Sequence, residues 1–442
     1  MIPVMEQTTL QREFEDLRQR EFARLDSTGT VYLDYTGAAL YPASLISSDA
    51  KRLTQSVLGN PHAESLPSSA STGAIEAARA QTLRFFGADP TTYDLVFTAN
   101  ATGAIRVLAE AFPFRSGSRL VLTVDNHNSV NGLRMQAGQR GATVHYIPLD
   151  SELRALDPKA GLKPATQPSL FAFPAQSNFS GVRHPLEWIQ DARELGYSVL
   201  LDAASFAPTN PLSLLEVPAD FVAVSFYKMF GYPTGIGALI ARRDALAQLR
   251  RTYFGGGTVQ FVSVQNDMER RKPGAEAFED GTPHFLAMPG VVAGLRWLDQ
   301  LGMDRIQQHV ARLTAVLLER LAELGERVEI YGPRDIKARG GTVAFNLRRH
   351  GRIIDYECVE AAARDRGIAI RGGCFCNPGA AEHAFSIPAD LARTCLSEDF
   401  TVRRFRQCLG NTPVGALRAS IGIPTTMADL GRLFDLVDEL SR

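Results

Sequence analysis

The chain has 442 residues, 45% hydrophobic and 21% charged, the make-up of an ordinary soluble core spread over about two to three domains. A formal net charge of −1 leaves no basic excess with which to argue for nucleic acid or an acidic membrane surface. No apolar run approaches the length of a membrane span and the charged segment Met1–Phe22 holds no signal-peptide core, so no membrane partner is expected and the cytoplasm is the expected location.

In chain order, residues 10–25 read as an amphipathic helix with Leu10, Phe14, Leu17, Phe22 and Leu25 on one face. A short strand at 31–33 enters a small-residue turn, Asp34 to Ala39, where backbone can come close to another group. A polar loop at 60–71 precedes a helix at 74–86, closed by Gly87. A strand at 94–98 then runs through Asn100, Ala101 and Thr102 into a helix at 105–112. Helix N-terminal amides and a threonine hydroxyl suit an anion there, although small residues also serve any tight turn. Strands at 119–124, 143–148, 170–173 and 198–201 follow, separated by helices that end near 138 and span 186–196. A buried strand at 221–226 leads to Tyr227, Lys228 and a glycine-rich turn. Thr102, His127, Asn178, Asp202 and Lys228 each fall just past a strand, which places them on one edge of one open, largely parallel sheet. Beyond a polar stretch at 258–282 and a helix at 286–301, a second, smaller domain is expected. It comprises a long helix at 303–324, strands near 328–331, 341–347, 368–371 and 417–422, and helices at 356–367 and 426–440.

Lys228 is one of six lysines and the one in an apolar, glycine-flanked setting. An amine at the mouth of a buried strand loses hydration, its pKa falls, and it becomes able to bond a carbonyl cofactor. The alternative is a surface lysine whose stem packs on apolar neighbours. Pyridoxal 5'-phosphate (PLP) would need such an amine, an acid for its pyridine nitrogen, a flat group over its ring and donors for its phosphate. Lys228, Asp202, His127 and the set Thr102, Ser225 and glycine turns meet those needs, though Asp202 could be a turn former and His127 a surface group. Cys374 and Cys376 sit on a Gly-Gly/Pro-Gly loop expected to be exposed and mobile, with Arg371 near enough to favour a thiolate. A Cys-x-Cys without a second ligand pair is a poor zinc site, so no metal is expected. Cys358, Cys395 and Cys408 read as inert packing thiols, and the odd total of five cysteines predicts a reducing compartment without a disulfide framework.

The segments YLDYTGAAL, NPHAES, VFTANATGAI, DNHNSV, FPAQSNFSGVRHPL, LLDAASF, FVAVSFYKMFGYPTGIGAL, TYFGGGT, FEDGTPHFL, RGGCFCNPGA and PVGALRASIG span Tyr32 to Gly422. In that order they resemble the class V, fold-type I PLP enzymes of the cysteine desulfurase group, and within it the desulfurase domain of molybdenum cofactor sulfurases. The resemblance implies an α/β fold-type I transferase: a large domain on a mainly parallel, seven-stranded-type sheet and a smaller C-terminal α+β domain. It divides the chain into an N-terminal helical segment at 1–30 packing on the small domain, a PLP-binding domain at 31–289 and a small domain at 290–442 carrying the Cys374/Cys376 loop. It implies that Lys228 bonds the cofactor and moves protons, Asp202 pairs with the pyridine nitrogen, His127 stacks on the ring and Asn178 approaches the ring hydroxyl. Ala101, Thr102 and Ser225 hold the phosphate, and Thr282 reaches the phosphate of a neighbouring subunit in a homodimer. Arg418 clamps the substrate carboxylate, and Cys376, with Cys374 second, carries a persulfide. The implied activity is L-cysteine desulfuration releasing alanine, with sulfur passed to a protein, a molybdenum cofactor or a small molecule. A carbon–sulfur lyase or aminotransferase of the same fold, acting on a cysteine-related substrate, is the alternative. The chain departs from simple desulfurases at Tyr227, where they have histidine, and at Ser205, where they have glutamine. It departs from the sulfurases at Ala381, where a further cysteine is usual. Eukaryotic sulfurases continue into a β-rich domain that binds the molybdenum cofactor, beyond the position of Arg442.

Overall fold

Runs rich in valine, leucine and phenylalanine that are apolar at nearly every position can be buried on both faces, and here such runs, with the largely exposed edge strand Thr143–Ile147, build one seven-stranded sheet. The computed structural model describes residues 4–396, 399–410 and 412–442. Across the sheet the strands run Tyr93–Thr98, Gly237–Arg242, Phe221–Ser225, Tyr197–Asp202, Ser169–Pro174, Arg119–Thr123 and Thr143–Ile147. Gly237–Arg242 is antiparallel to both neighbours and the remaining pairs are parallel, in line with the expected mainly parallel sheet. Alternation along each strand divides the core. Phe171, Phe173, Val199 and Leu201 join one cluster, and Leu170, Ala172 and Leu200 join the other on the opposite face.

A second sheet is antiparallel. It runs Val328–Tyr331, Thr342–Arg349, Ala416–Ser420, Arg371–Gly373, with Arg352–Ile353 paired to Thr342–Arg349. The 21-residue helix Met303–Glu323 buries Ile306, Val310, Leu313, Leu317 and Leu321 at the three- and four-residue spacing of one helical face. It packs against the N-terminal helix Val4–Glu21, where Phe14 stacks on His309 with ring centres 4.1 Å apart. Among the described residues no helix is long and apolar enough to cross a membrane.

Several elements differ from the reading of the sequence. The helix expected at 10–25 is two helices, Val4–Glu21 and Arg24–Ser27. The polar loop at 60–71 ends early, because Pro67 starts a 20-residue helix, Leu66–Phe85. The polar stretch at 258–282 contains a hairpin, Val259–Ser263 with Met268–Arg271. The strand at 368–371 divides: Ile368–Ala369 pairs with Val31–Tyr32, and Arg371–Gly373 pairs with Ala416–Ser420. Cys395 and Cys408 are not packing thiols. The short helices Ala389–Cys395 and Val402–Cys408 fold back and bring their Cα atoms to 5.7 Å, and the two form a disulfide. Cys358 is not packed either; it is exposed.

Lys228 lies in the short helix Phe226–Phe230, which ends at Gly231 with φ at +77°. A Cβ on Gly231 would overlap main-chain atoms of Leu40 and Tyr41, so glycine is required for both conformation and space. Phe230 in turn fills the place where Gly294, on the helix Met288–Leu301, lacks a side chain. Gly231→Ala is therefore expected to lower the free energy of unfolding by at least about 1 kcal/mol. Urea titration followed by circular dichroism measures it, and an unchanged midpoint would contradict this account of the turn.

Candidate active site

The parallel strands all deliver their carboxyl ends to the same edge of the sheet, and the chain leaves each strand there by a polar turn. Ala101, Thr102, His127, Asn178, Asp202, Ser225 and Lys228 line one cleft along that edge, together with Asn100, Ser129, Gln176, Ser205 and Tyr227. It encloses about 630 Å³, counting the space open to solvent, which is the size of a cofactor site. The structure thus gathers seven of the residues singled out in the sequence. Thr282 does not join them. It is exposed, in a segment outside the cleft.

At one end of the cleft the helix Ala101–Ala111 begins. Asn100 caps it by accepting from the Gly103 N–H at 2.9 Å, and the Ala101 N–H donates to Ser225 Oγ at 2.8 Å. Thr102 Oγ1 lies 2.7 Å from Ser129 Oγ. Three hydroxyls and the first amides of an 11-residue helix therefore converge on one spot, a suitable cradle for a phosphate group. A Cβ on Gly237 would overlap Asn100, so that glycine lets the strand approach the cradle.

Lys228 is half-buried, and among the described residues its ammonium has no hydrogen-bond or ion-pair partner. Burial lowers its pKa from the ordinary lysine value. Asp202 opposes that shift, and Arg418 and Arg371 reinforce it. Asp202 is buried at the end of its strand, where Oδ1 accepts from the Ala204 N–H at 3.0 Å. His127 has its pKa lowered, chiefly by burial, with Asp202 opposing and Lys228 and Arg418 adding to the effect. Its Nδ1 accepts from the Ser129 N–H at 3.1 Å, so the proton of the neutral ring sits on Nε2.

Cys374 and Cys376 are beside the cleft on a loop that is anchored, not mobile as the glycines suggested. Each of its three successive carbonyl oxygens accepts a hydrogen bond: Cys374 O from Asn377 N at 2.9 Å, Phe375 O from Asn178 Nδ2 at 2.7 Å, and Cys376 O from Asn128 N at 2.7 Å. Phe375 and Cys376 both hold φ at +55°, a costly conformation for residues with a Cβ, which these bonds maintain. Asn377 is fully buried and ties three pieces together. Its Nδ2 donates to Asp125 O at 2.6 Å and to Asn178 Oδ1 at 2.9 Å, while its Oδ1 accepts from the Ala380 N–H at 3.2 Å. Cys376 is close enough to Lys228 and Arg418 to act on the titration of both. Cys374 instead neighbours Tyr356, whose hydroxyl is pushed up to about 12, mainly by burial.

Arg371 does not stand free beside the thiols. It grips Asp34 with Nε at 3.1 and 3.0 Å and with Nη2 at 2.6 Å, and Gly37 leaves the space for that grip. Arg418, 2% exposed, shares the same carboxylate through Nη2 at 2.8 Å, donates to Asn178 O through Nη1 at 3.0 Å and lies 4.7 Å over the Phe375 ring. Its Nε is buried with no partner. The arrangement can thus present a nucleophilic amine, an acid, a proton-carrying imidazole, an anion cradle, an arginine with donors to spare and a thiol. The roles of Asn377, Asn128, Ser129 and Asp34 escaped the sequence reading, as did the buried pair His184 Nε2 to Asp125 Oδ2 at 2.8 Å. Asn377-Pro378 was the available signal, since asparagine followed by proline is a helix start.

A family model described as aminotransferase class-V matches residues 31–433. The molybdenum cofactor sulfurase of Bos taurus is 37% identical over 94% of this chain and 50% of its own length, and that of Arabidopsis thaliana 34% identical over 96% and 58%. The chain spans about half the length of the curated relatives it matches. Among solved structures, an apo cysteine desulfurase from Thermococcus onnurineus NA1 superposes with a TM-score of 0.80 at 26% identity, covering 97% of this chain and 98% of that one. A cysteine desulfurase of Escherichia coli, with a TM-score of 0.76 at 24% identity over 96% of this chain and 98% of its own, shares the fold.

Asn377→Ala would leave Asp125 O, Asn178 Oδ1 and the Ala380 N–H short of a partner in a buried site, a loss of about 1–3 kcal/mol. The cysteine loop is then expected to loosen, with Cys376 alkylated by iodoacetamide several-fold faster than in the wild type. Peptide mass spectrometry over time measures the rate, and an unchanged rate in a folded variant would contradict the anchoring role.

Proposed function

The chain belongs to the class-V aminotransferase family, and on that premise we propose that it is a PLP-dependent L-cysteine desulfurase whose Cys376 takes the substrate's sulfur. The observation that carries the reading is a Lys228 with no ion-pair partner among the described residues in the cleft, and the Cys374–Cys376 loop bonded directly to that cleft through Asn178. The donor set fits PLP: Ala101, Thr102 and Ser225 would hold its phosphate, Asp202 would answer the pyridine nitrogen, His127 and Asn178 would flank the ring, and Lys228 would supply the amine for its aldehyde. When bound, PLP supplies an electron sink that lets the substrate's α-proton be removed.

The chain's own residues do the rest. Burial keeps the Lys228 amine neutral at lower pH than a free lysine, so it can bond a carbonyl and then accept a proton at Nζ. Asp202, held by the Ala204 amide, offers a fixed negative charge. His127, a donor at Nε2, can move a proton across the cleft. Arg418 has the terminal guanidinium hydrogens not spent on Asp34 and Asn178 for a substrate carboxylate. Cys376 Sγ bonds the substrate sulfur as the substrate's Cβ–S bond breaks. The electron pair stays with the carbon skeleton, which takes up a proton and leaves as alanine, and the enzyme is left as a persulfide. An acceptor then takes that sulfur: a partner protein, a molybdenum cofactor or a small molecule.

We retain the division into segments 1–30, 31–289 and 290–442, with Cys374 and Cys376 on the last. Exposed Phe261, Val264 and Met268 on the 259–271 hairpin support a homodimer in which Thr282 reaches the neighbouring subunit's phosphate site. Thiols at Cys374 and Cys376 must stay reduced to act, which favours the cytoplasm, whereas the Cys395–Cys408 disulfide is of a kind rare there. Purified protein loaded with PLP and given L-cysteine is expected to release alanine. Cys376→Ala should lower that rate at least about 100-fold, Cys374→Ala should keep most of it, and Lys228→Ala should lose the visible absorbance of the bound cofactor. Pyruvate or a keto acid in place of alanine, unaffected by Cys376→Ala, would show a lyase or an aminotransferase instead.

A further inference from the structure

A cavity that shares no lining residue with the cleft opens between the helix Met303–Glu323 and the turns carrying Arg183, Asn210 and Arg339. It encloses about 670 Å³, counting the space open to solvent, and its lining includes two arginines and no carboxylate. Arg339 is 4% exposed. Its terminal nitrogens donate to main-chain oxygens of Pro333, Ser180 and Thr342, and its Nε is buried with no partner. Arg183 donates from Nη1 to Asn210 Oδ1 at 3.0 Å, and among the described residues neither arginine is paired with an acid. Burial lowers the pKa of both, that of Arg339 to about 10. Arg154 adds to the lowering at Arg339 and Asp335 is the acid that opposes it. Both guanidiniums remain charged near neutral pH, so the cavity holds two positive charges, Arg183 half-buried and Arg339 buried, with neither ion-paired to an acid among the described residues. Such an arrangement is costly unless an anion completes it.

The neutral lining ties the cavity to the cleft. Asn210 Oδ1 accepts from both Arg183 and Gln307 Nε2, the latter at 3.0 Å, which turns Asn210 Nδ2 toward Gln176 Oε1 at 3.2 Å. Gln176 lines the cleft that holds Lys228, so the cavity and the cleft meet through one amide pair.

We propose that this cavity binds a phosphate group, either free or carried by a small phosphorylated molecule. A phosphate near neutral pH has a charge of about −1.5 to −2 and answers both guanidiniums, where a carboxylate would answer one. Arg183 and Gln307 are its donors, and the buried Arg339 guanidinium behind them adds its charge. Its place, between the helix Met303–Glu323 and the turns beside Gln176, makes it a second anion site distinct from the cradle at Thr102 and Ser225.

The test is a titration of inorganic phosphate and, separately, of glycerol 3-phosphate into PLP-loaded protein, whose cradle is already filled, read by calorimetry and by the rise in melting temperature. One saturable site per chain is expected, weakened at least tenfold by Arg183→Gln, with the phosphate-induced rise in melting temperature lost. Tighter binding of the ester would assign the site to a phosphorylated molecule, and equal or weaker binding to free phosphate; both support it. Should Arg183→Gln fail to fold, Gln307→Leu keeps both charges and is expected to weaken binding several-fold. No saturable binding at millimolar ligand, or full affinity in both variants, would overturn the proposal. A protein that failed to take up PLP would sink the desulfurase reading alone, since the Arg183 dependence is equally readable on the cofactor-free chain.

Discussion

The hydrogen bond between the side chains of Asn178 and Asn377, 2.9 Å long and buried, holds the two parts of the candidate site together. Asn178 follows a strand of the large sheet, and Asn377 follows the Cys374–Cys376 pair. Both amides have their orientation fixed by main-chain partners: Asn178 Nδ2 donates to Phe375 O, and Asn377 Oδ1 accepts from the Ala380 N–H. With Asn377 also bonded to Asp125 O, the loops carrying His127, Asn178 and Cys376 form one unit. Buried polar contacts of this kind have little slack, because a lost partner leaves an amide without water to replace it. The positive φ of Phe375 and Cys376 shows what the network does: it holds a conformation the chain alone would not keep.

Charge is arranged around this unit with equal economy. Asp34 satisfies Arg371 and one side of Arg418, so the two arginines sit beside the cleft without leaving a bare double charge in it. Lys228 receives no such partner. Its burial, with Arg418 and Arg371 nearby, favours the neutral amine, while Asp202 and Cys376 pull the other way. The balance suits a group that must alternate between neutral and protonated forms.

Much of this was legible in the sequence, and the misses have physical causes. The buried strands announced themselves as continuous apolar runs, and Asp202, Ser225 and Lys228 stood at their ends because a strand that leaves a sheet must turn where backbone meets solvent. Gly237–Arg242 was missed because it follows directly on a glycine-rich turn, and its antiparallel direction cannot be read from local pattern. The anchoring of the cysteine loop was misread because glycine and proline signal freedom locally, whereas the bonds that hold it come from Asn128 and Asn178, some 200 residues or more away in sequence. The Cys395–Cys408 bridge was missed for a related reason: an odd cysteine count argues about compartment, while pairing depends on two short helices folding back on each other. Arg183 and Arg339 offered no sequence signal at all, since an arginine without an acid can be recognised only once its surroundings are known.

The central claim, that the cleft and the loop act as one site with Cys376 as the sulfur carrier, is tested most directly by following the sulfur itself. After a single exposure of PLP-loaded protein to L-cysteine with no acceptor present, the peptide containing Cys374 and Cys376 would be fragmented in the mass spectrometer. One added sulfur atom located on Cys376 is the predicted result. An unmodified peptide, or the added sulfur on Cys374 or Cys358 instead, would contradict it.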